Sequence, residues 1–327
     1  MPYAPESRVG PPLDADLLIA HSRRPLVLGI GGGGDVVGAL ATAEWARLHH
    51  GARPVLGGVT WERRPIDPQP GPRSTAEIEG ARELAPGVLA AGPDTKVRAS
   101  GVRFAESHMA GVLGEEVLLV DPCNGPARIA AGIQQAADSL ECDLLVFVDV
   151  GGDALAHGDE PGLASPLCDA VMLAAAARLQ AAGRTTLGAV FGPGCDGELT
   201  LAELGARLSE LGAAGGLAGA RGLTPGVVAR LQQAVEAVPT EASAQALRAF
   251  RGEHGRSTIR RGRRVVELSA AAALTVYFDV SAAVRSAARL VPAVDGAASL
   301  EEANEALHRL GLRTELDYER GAAAAER

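Results

Sequence analysis

Pro25-Leu-Val-Leu-Gly-Ile-Gly-Gly-Gly-Gly-Asp35-Val-Val-Gly38 is the stretch on which the fold turns. Leu26 to Ile30 carries no polar side chain, which is what a strand buried on both faces requires; a strand with one wet face would alternate. Four glycines and an acidic residue then open Asp35 to His49, a segment with helical periodicity. Strand, glycine-rich turn and helix form the opening unit of a parallel α/β sheet.

The unit recurs along the chain. Apolar stretches at Pro54 to Val59, Glu116 to Val120, Asp143 to Val150 and Thr185 to Phe191 alternate with helical segments at Pro126 to Leu140, Ser165 to Ala182 and Leu199 to Leu211. Such alternation predicts right-handed crossovers and an open, doubly wound, mostly parallel Rossmann-like sheet over residues 25–211, after an N-terminal arm of residues 1–24. The second crossover is longer than the others: between Pro65 and Ser100 it is expected to hold a Pro-rich loop and a helix near Thr75 to Leu84, and segments of this length are often lids. Gly212 to Gly222 reads as a Gly/Ala linker. Residues 223–327 then form an α+β extension on the same domain, with helices at Pro225 to Val238 and Glu241 to Phe250, strands at Val265 to Leu268 and Leu274 to Phe278, and two further helices.

Composition narrows the function. The 327 residues are 47% hydrophobic and 22% charged, a globular balance. A net charge of -9 argues against nucleic acid as a general partner, since phosphate neutralisation needs a cationic surface. No apolar run reaches the roughly 18 residues of a membrane span. Met1 to Pro12 lacks the basic-then-apolar order of a signal peptide, so a cytoplasmic protein without a membrane partner is expected. The helices flanking the sheet edges could equally serve a homo-oligomer. Cys123, Cys142, Cys168 and Cys195 are too scattered for a structural zinc site or a disulfide framework. Lys96 is the lone lysine, so any lysine-dependent mechanism must use it or be absent.

Five loops share one chemistry at the carboxyl ends of the predicted strands, where ligands of open parallel sheets bind. They are Gly31, Gly32, Gly33, Gly34 and Asp35; Glu62, Arg63 and, farther on, Arg73; Asp121 to Asn124; Asp149, Gly151, Gly152 and Asp153; and Gly192, Gly194, Asp196 and Glu198. Glycines bring backbone N–H groups close to a phosphate, and the helix opening at Asp35 adds its positive end. Asp149, Asp153, Asp196 and Glu198 are the candidate catalytic carboxylates, with Asp153 and Asp196 as ligands for Mg2+, a hard cation that takes one or two carboxylates plus substrate oxygens. Helix capping would explain Asp153 and Asp196 singly, but not the whole group. Arg63 or Arg73 would face the anion, with Glu62 and Asn124 completing the site.

Gly29-x-Gly31-x-x-Gly34 also satisfies the dinucleotide fingerprint, with Glu62 for a ribose or Arg63 for a 2′-phosphate, although Glu62 falls later than the spacing of about 20 residues that NAD(P) sites use. The arginines between Arg251 and Arg264 read as a solvated patch, the alternative being a grip on an anionic substrate. Cys195 has no nearby His to activate it; His108 and His157 flank the loops and read as structural residues, the alternative for either being an acid or base.

Gly29 to Gly38, Trp61-Glu-Arg63, Gly71-Pro-Arg73, Asp149-Val-Gly-Gly-Asp153 and Gly192-Pro-Gly-Cys-Asp196-Gly-Glu198 together resemble the family catalogued as domain of unknown function 1152, from about Leu26 to about Asp279. The resemblance implies a Rossmann-like single-domain protein and carries no activity or catalytic residue with it. The expected function is therefore an enzyme acting on a nucleotide or a phosphorylated or other anionic metabolite by metal-assisted group transfer or hydrolysis. An NAD(P)-dependent oxidoreductase and a non-catalytic nucleotide or metabolite sensor stand as alternatives.

Overall fold

The computed structural model describes residues 13–326. Residues 1–12 of the predicted N-terminal arm lie outside them; the rest of the arm forms helix α1 (Ala15–His21), capped by Asp14. Among the described residues the strands are β1 (Pro25–Gly29), β2 (Val55–Val59), β3 (Ile78–Ala85), β4 (Val88–Val97), β5 (Val117–Val120), β6 (Leu144–Val150), β7 (Thr186–Phe191), β8 (Leu217–Gly222), β9 (Gly255–Ile259), β10 (Arg264–Leu268) and β11 (Leu274–Phe278). The helices that follow α1 are α2 (Asp35–His50), α3 (Ala105–Leu113), α4 (Gly125–Ser139), α5 (Pro166–Ala181), α6 (Leu201–Ala213), α7 (Pro225–Ala237), α8 (Ala242–Phe250), α9 (Val280–Arg285), α10 (Val291–Val294), α11 (Leu300–Arg309) and α12 (Glu315–Ala325).

Nine strands form one sheet in the order β3-β4-β5-β2-β1-β6-β7-β11-β8. The five strands expected from the apolar runs, β5-β2-β1-β6-β7, pair in parallel, and antiparallel strands extend both edges. Each central strand is buried on both faces for a visible reason. Leu26 and Leu28 of β1, with Leu145 and Phe147 of β6, join the core under α4 and α5. Val27, Leu144, Val146 and Val148 join the core under α2 and α7 on the opposite face.

Three sequence expectations need correction, the simplest being the two helices expected after Leu274 to Phe278, which among the described residues are four, α9 to α12. The helix near Thr75 to Leu84 is instead a short 3-10 turn at Thr75–Glu77 leading into β3, which turns at Pro86-Gly87 and pairs back with β4. Helix-forming Glu, Arg, Leu and Ala at 81–85 were overridden by hairpin pairing, and the register irregularity at Glu79/Ala81 accommodates Gly80. Gly212 to Gly222 is not a free linker either, because its second half, β8, forms the sheet's outer edge against β11. Small residues that pattern as linker serve as an edge strand once β11 supplies the hydrogen-bond partners.

Chain order reverses between β1 and β6: β2 and β5 lie on one side of β1, β6 and β7 on the other. This is the switch point at which open α/β sheets leave a crevice beyond the strands' carboxyl ends. Ile30 continues the pairing by donating its N–H to Val148 O at 3.0 Å, so the loops after β1 and β6 leave the sheet side by side. No helix among the described residues is long and apolar enough to cross a membrane.

Candidate functional site at the switch point

Six carboxylates gather in the crevice. One oxygen each of Asp35, Asp149 and Asp169 lie within 4.8 Å of one another, and Asp153, Asp196 and Glu198 form a second such group. Asp149 closes β6, Asp153 opens the 3-10 turn Asp153–Leu155, Asp196 and Glu198 sit in the loop after β7, and Asp35 and Asp169 lie in the first turns of α2 and α5. All except Asp35 are buried.

Backbone donors fix several of them. The N–H of Gly31 donates to Asp35 Oδ2 at 2.9 Å, that of Ala154 to Asp149 Oδ2 at 3.0 Å, and that of Glu198 to Asp196 Oδ1 at 3.2 Å. Glu198 is the most heavily committed. It accepts from Ala164 N at 2.7 Å, Ser165 N at 2.8 Å and Ser165 Oγ at 2.5 Å, and pairs with Arg264 at 3.1 Å and Arg260 at 3.8 Å. Asp153 has only Ser165 Oγ at 3.5 Å, and Asp169 Oδ1 has no hydrogen-bond partner. Such orphaned acceptors are costly in a protein interior.

Two glycines are dictated by these neighbours. A Cβ on Gly31 would stand 2.7 Å from Asp35 Oδ2 and 3.0 Å from Asp169 Oδ2. Gly151 has φ +122°, and a Cβ there would fall 2.2 Å from Asp196 Cγ. The other predicted glycines shape the same loops. Gly33 N–H donates to Trp61 O at 2.8 Å, Gly194 N–H to Gly151 O at 2.7 Å and Gly192 N–H to Leu274 O at 2.9 Å, while Gly34 O accepts from Ser243 Oγ at 3.3 Å. Gly32 contacts the Trp61 and Arg63 segment, and Gly152 packs on Leu204.

Of the predicted cationic and polar partners, Arg63 reaches the site. Its guanidinium stacks 4.2 Å from the Trp61 ring centroid, donates through Nη2 to Gly31 O, and pairs with Glu315 at 3.4 Å, while Nη1 has no partner. Burial works against its charge, but Glu315 and other nearby acids hold its pKa above the ordinary arginine value. Arg73 is held elsewhere: buried against Asp67 at 2.8 Å and donating to Gln69 O, it braces its own loop. Glu62 is spent on the N–H of Ala105, capping α3. Asn124 lies at the end of β5, in a separate cleft of about 410 Å3 with Asp121, Arg128 and Gln135.

Three site residues escaped sequence reading. Asp169 lies in the first turn of α5, where an acid is common and carries no signal of its own. Glu315 comes from the far end of the chain, yet accepts the N–H of Leu167 at 3.0 Å and of Cys168 at 2.8 Å, capping α5. Arg264 leaves the basic segment, expected to be a solvated patch, to cover Glu198; the β9–β10 hairpin carries it there. Cys195 carries no sign of a nucleophile, since burial and then Asp196 push its thiol well above the ordinary range. His157 is tied to Glu210 at 2.9 Å.

Six carboxylates thus face three guanidinium groups, two committed to Glu198 and one to Glu315. Burial is the chief cause that raises the carboxyl pKa values: Asp35 is pushed up to about 7 by burial, and with neighbouring acids adding to burial Asp196 is pushed up to about 7 and Asp149, Asp153 and Asp169 well above the usual range. Glu62 also rises to about 7 through burial.

The sign of the resulting pH dependence follows. From the unfolded carboxyl pKa near 4 up to about 7, the folded state holds protons that the unfolded chain has released, so rising pH favours unfolding. Each such group contributes a slope of about 1.4 kcal/mol per pH unit. Asp143 and Asp317, whose pKa values are lowered, act only below that window. Denaturant midpoints with chelator present should fall from pH 5 to pH 7, as Asp35, Asp196 and Glu62 ionise; a rise over that interval would show that the carboxylates are charged and compensated in the folded protein.

A switch-point crevice lined by acids and by the N-terminal turns of α2 and α5 defines a Rossmann-like α/β protein with an acidic crevice at its sheet edge. The chain belongs to the family described as Protein of unknown function (DUF1152), whose model matches residues 26–323. No curated protein and no solved structure matches the chain.

Proposed function

We propose that the protein is an enzyme acting on a nucleotide or other phosphorylated small metabolite, by metal-assisted group transfer or hydrolysis at the carboxyl edge of the sheet. The observation that carries this reading is the excess of buried carboxylate over guanidinium at the switch point. Buried like charges either stay protonated or are met by a cation. Asp153 and Asp196 are the ligands assigned to Mg2+; Glu198, tied to two backbone N–H groups and Arg264, holds the loop that presents Asp196. A divalent cation there would polarise a phosphoryl oxygen and neutralise developing charge. Arg63, with Nη1 unpaired beside the Gly31 to Gly34 turn, supplies a donor and a positive charge for the ligand's anionic end. Asp149 is the candidate base for a reacting hydroxyl or water.

The dinucleotide alternative draws less support. Asp35 occupies the Gly31 N–H that a pyrophosphate would use, and Glu62 caps α3, away from any ribose.

Thermal-shift measurements with ATP, ADP, AMP, NAD, NADP and sugar phosphates, each with and without Mg2+, test the proposal. A ligand at about a hundred times its Kd should add roughly 2.7 kcal/mol, a shift of several degrees. A nucleotide or sugar-phosphate shift that requires Mg2+ is the expected result, with product formation separating an enzyme from a sensor. A metal-independent shift with NAD or NADP would overturn it in favour of an oxidoreductase.

A further inference from the structure

We infer that Asp35, Asp149 and Asp169 hold a second divalent cation beside the one assigned to Asp153 and Asp196, making the switch point a two-cation centre for phosphate oxygens. The inference rests on the metal-assisted reading above and extends it to Asp169, whose Oδ1 that reading leaves without a partner; with a cation bound here Asp149 serves as its ligand rather than as a base.

The three side chains come from separate elements, the starts of α2 and α5 and the end of β6, and each brings one oxygen within 4.8 Å of the others. Proximity alone would be weak support, because acids also cluster at helix N-termini for capping. Asp169 does no capping. The free N–H groups of Leu167 and Cys168 are taken by Glu315, and Asp169, 2% exposed, leaves Oδ1 buried without a hydrogen bond. The orphaned carboxylate oxygen sits beside two further carboxylates, and the charge of Arg63 only partly offsets the three: its Nη2 is engaged with Gly31 O and Glu315, and no hydrogen bond joins it to Asp169.

The surroundings suit an ion as well. Asp35 and Asp149 each have an oxygen tied by a backbone N–H, which fixes the aim of the carboxylate as ligand-orienting hydrogen bonds do in metal sites. Gly31 keeps the space at the Asp35 and Asp169 oxygens open, since any Cβ there would press on both. Three carboxylates leave the remaining positions of an octahedral ion to water or phosphate oxygens. The two groups also adjoin, because Asp149 and Asp169 act electrostatically on Asp153, and Asp196 on Asp149. Paired cations at one phosphate would stabilise both the attacking and the leaving oxygen of an in-line displacement.

Mn2+ is the probe. Full-length protein stripped with chelator is titrated at pH 8, with free Mn2+ read by electron paramagnetic resonance. Wild type should bind two ions per chain, and Asp169→Asn and Asp153→Asn one each, the affected site weakening at least about 100-fold. Metal-free melting temperatures at or above wild type show that each variant folds. Two ions retained by Asp169→Asn overturn the second site. A single ion, lost in Asp153→Asn but kept in Asp169→Asn, overturns it too and leaves the first assignment standing. A single ion with the opposite pattern overturns the Asp153 and Asp196 assignment and with it the two-cation centre. No binding by wild type overturns both.

Discussion

Asp153→Asn and Asp196→Asn are each expected to abolish Mg2+-dependent ligand stabilisation, lowering ligand affinity or turnover by about 100-fold or more, while raising the stability of the metal-free protein. The opposite signs follow from the same physics. Asp153 and Asp196 are buried next to other carboxylates, and their ionisation opposes folding. Each unit of raised pKa is worth about 1.4 kcal/mol, so a neutral amide of the same shape should gain about 1–3 kcal/mol at pH 8. That corresponds to a few degrees of melting temperature at this chain length. The hydrogen bond from Glu198 N to Asp196 Oδ1 survives, because the amide oxygen still accepts. Function and stability therefore part company, as at other sites that concentrate like charge. Calorimetry of both variants with and without Mg2+, together with the ligand screen, checks the prediction. Asparagine caps helices about as well as aspartate. Variants that match wild type in both measurements would therefore reduce these carboxylates to capping groups.

Glu315→Ala should produce the largest loss of stability, about 3 kcal/mol. The residue is buried at the start of α12 and does two jobs at long range in sequence: it accepts the N–H groups of Leu167 and Cys168, 148 and 147 residues earlier, and it faces Arg63, 252 residues earlier. Removing it leaves two helix donors and a guanidinium without their acceptor, and a charge that loses its partner away from solvent typically costs 3–5 kcal/mol. The lower figure applies because the Arg63 side chain is 23% exposed. Glu315→Gln keeps an acceptor for the helix and should lose less than half as much. Urea denaturation with an unchanged slope is the measurement. A loss below about 1 kcal/mol for the alanine variant would show that α12 is not what anchors α5.

Legibility in the sequence tracked the range of the interactions involved. Local rules carried the central sheet: strands without alternation must be buried on both faces, and β1, β2, β5, β6 and β7 are. Pro86-Gly87 is a turn signal, but the residues before it have helix-forming composition, so a helix is expected where the β3–β4 hairpin stands. Within the candidate site, the acids of the strand-end loops were legible because topology alone sends those loops to one edge. Glu62 and Arg73 had the right composition and the right loop. Their spare hydrogen-bonding capacity was consumed by Ala105 and Asp67, which no spacing rule foretells.

By itself, then, the sequence determined the class of fold and the edge at which chemistry can occur, since both follow from hydrophobic period and strand order within about thirty residues of chain. Tertiary structure decided which charges meet. Asp169 enters from a helix start, Arg264 from the β9–β10 hairpin and Glu315 from the last helix, each brought to the crevice by packing of the C-terminal third or of α5 on the sheet. Electrostatic strength depends on separations of a few ångströms and on exclusion of water. Residues far apart along the chain acquire both only when the whole domain closes.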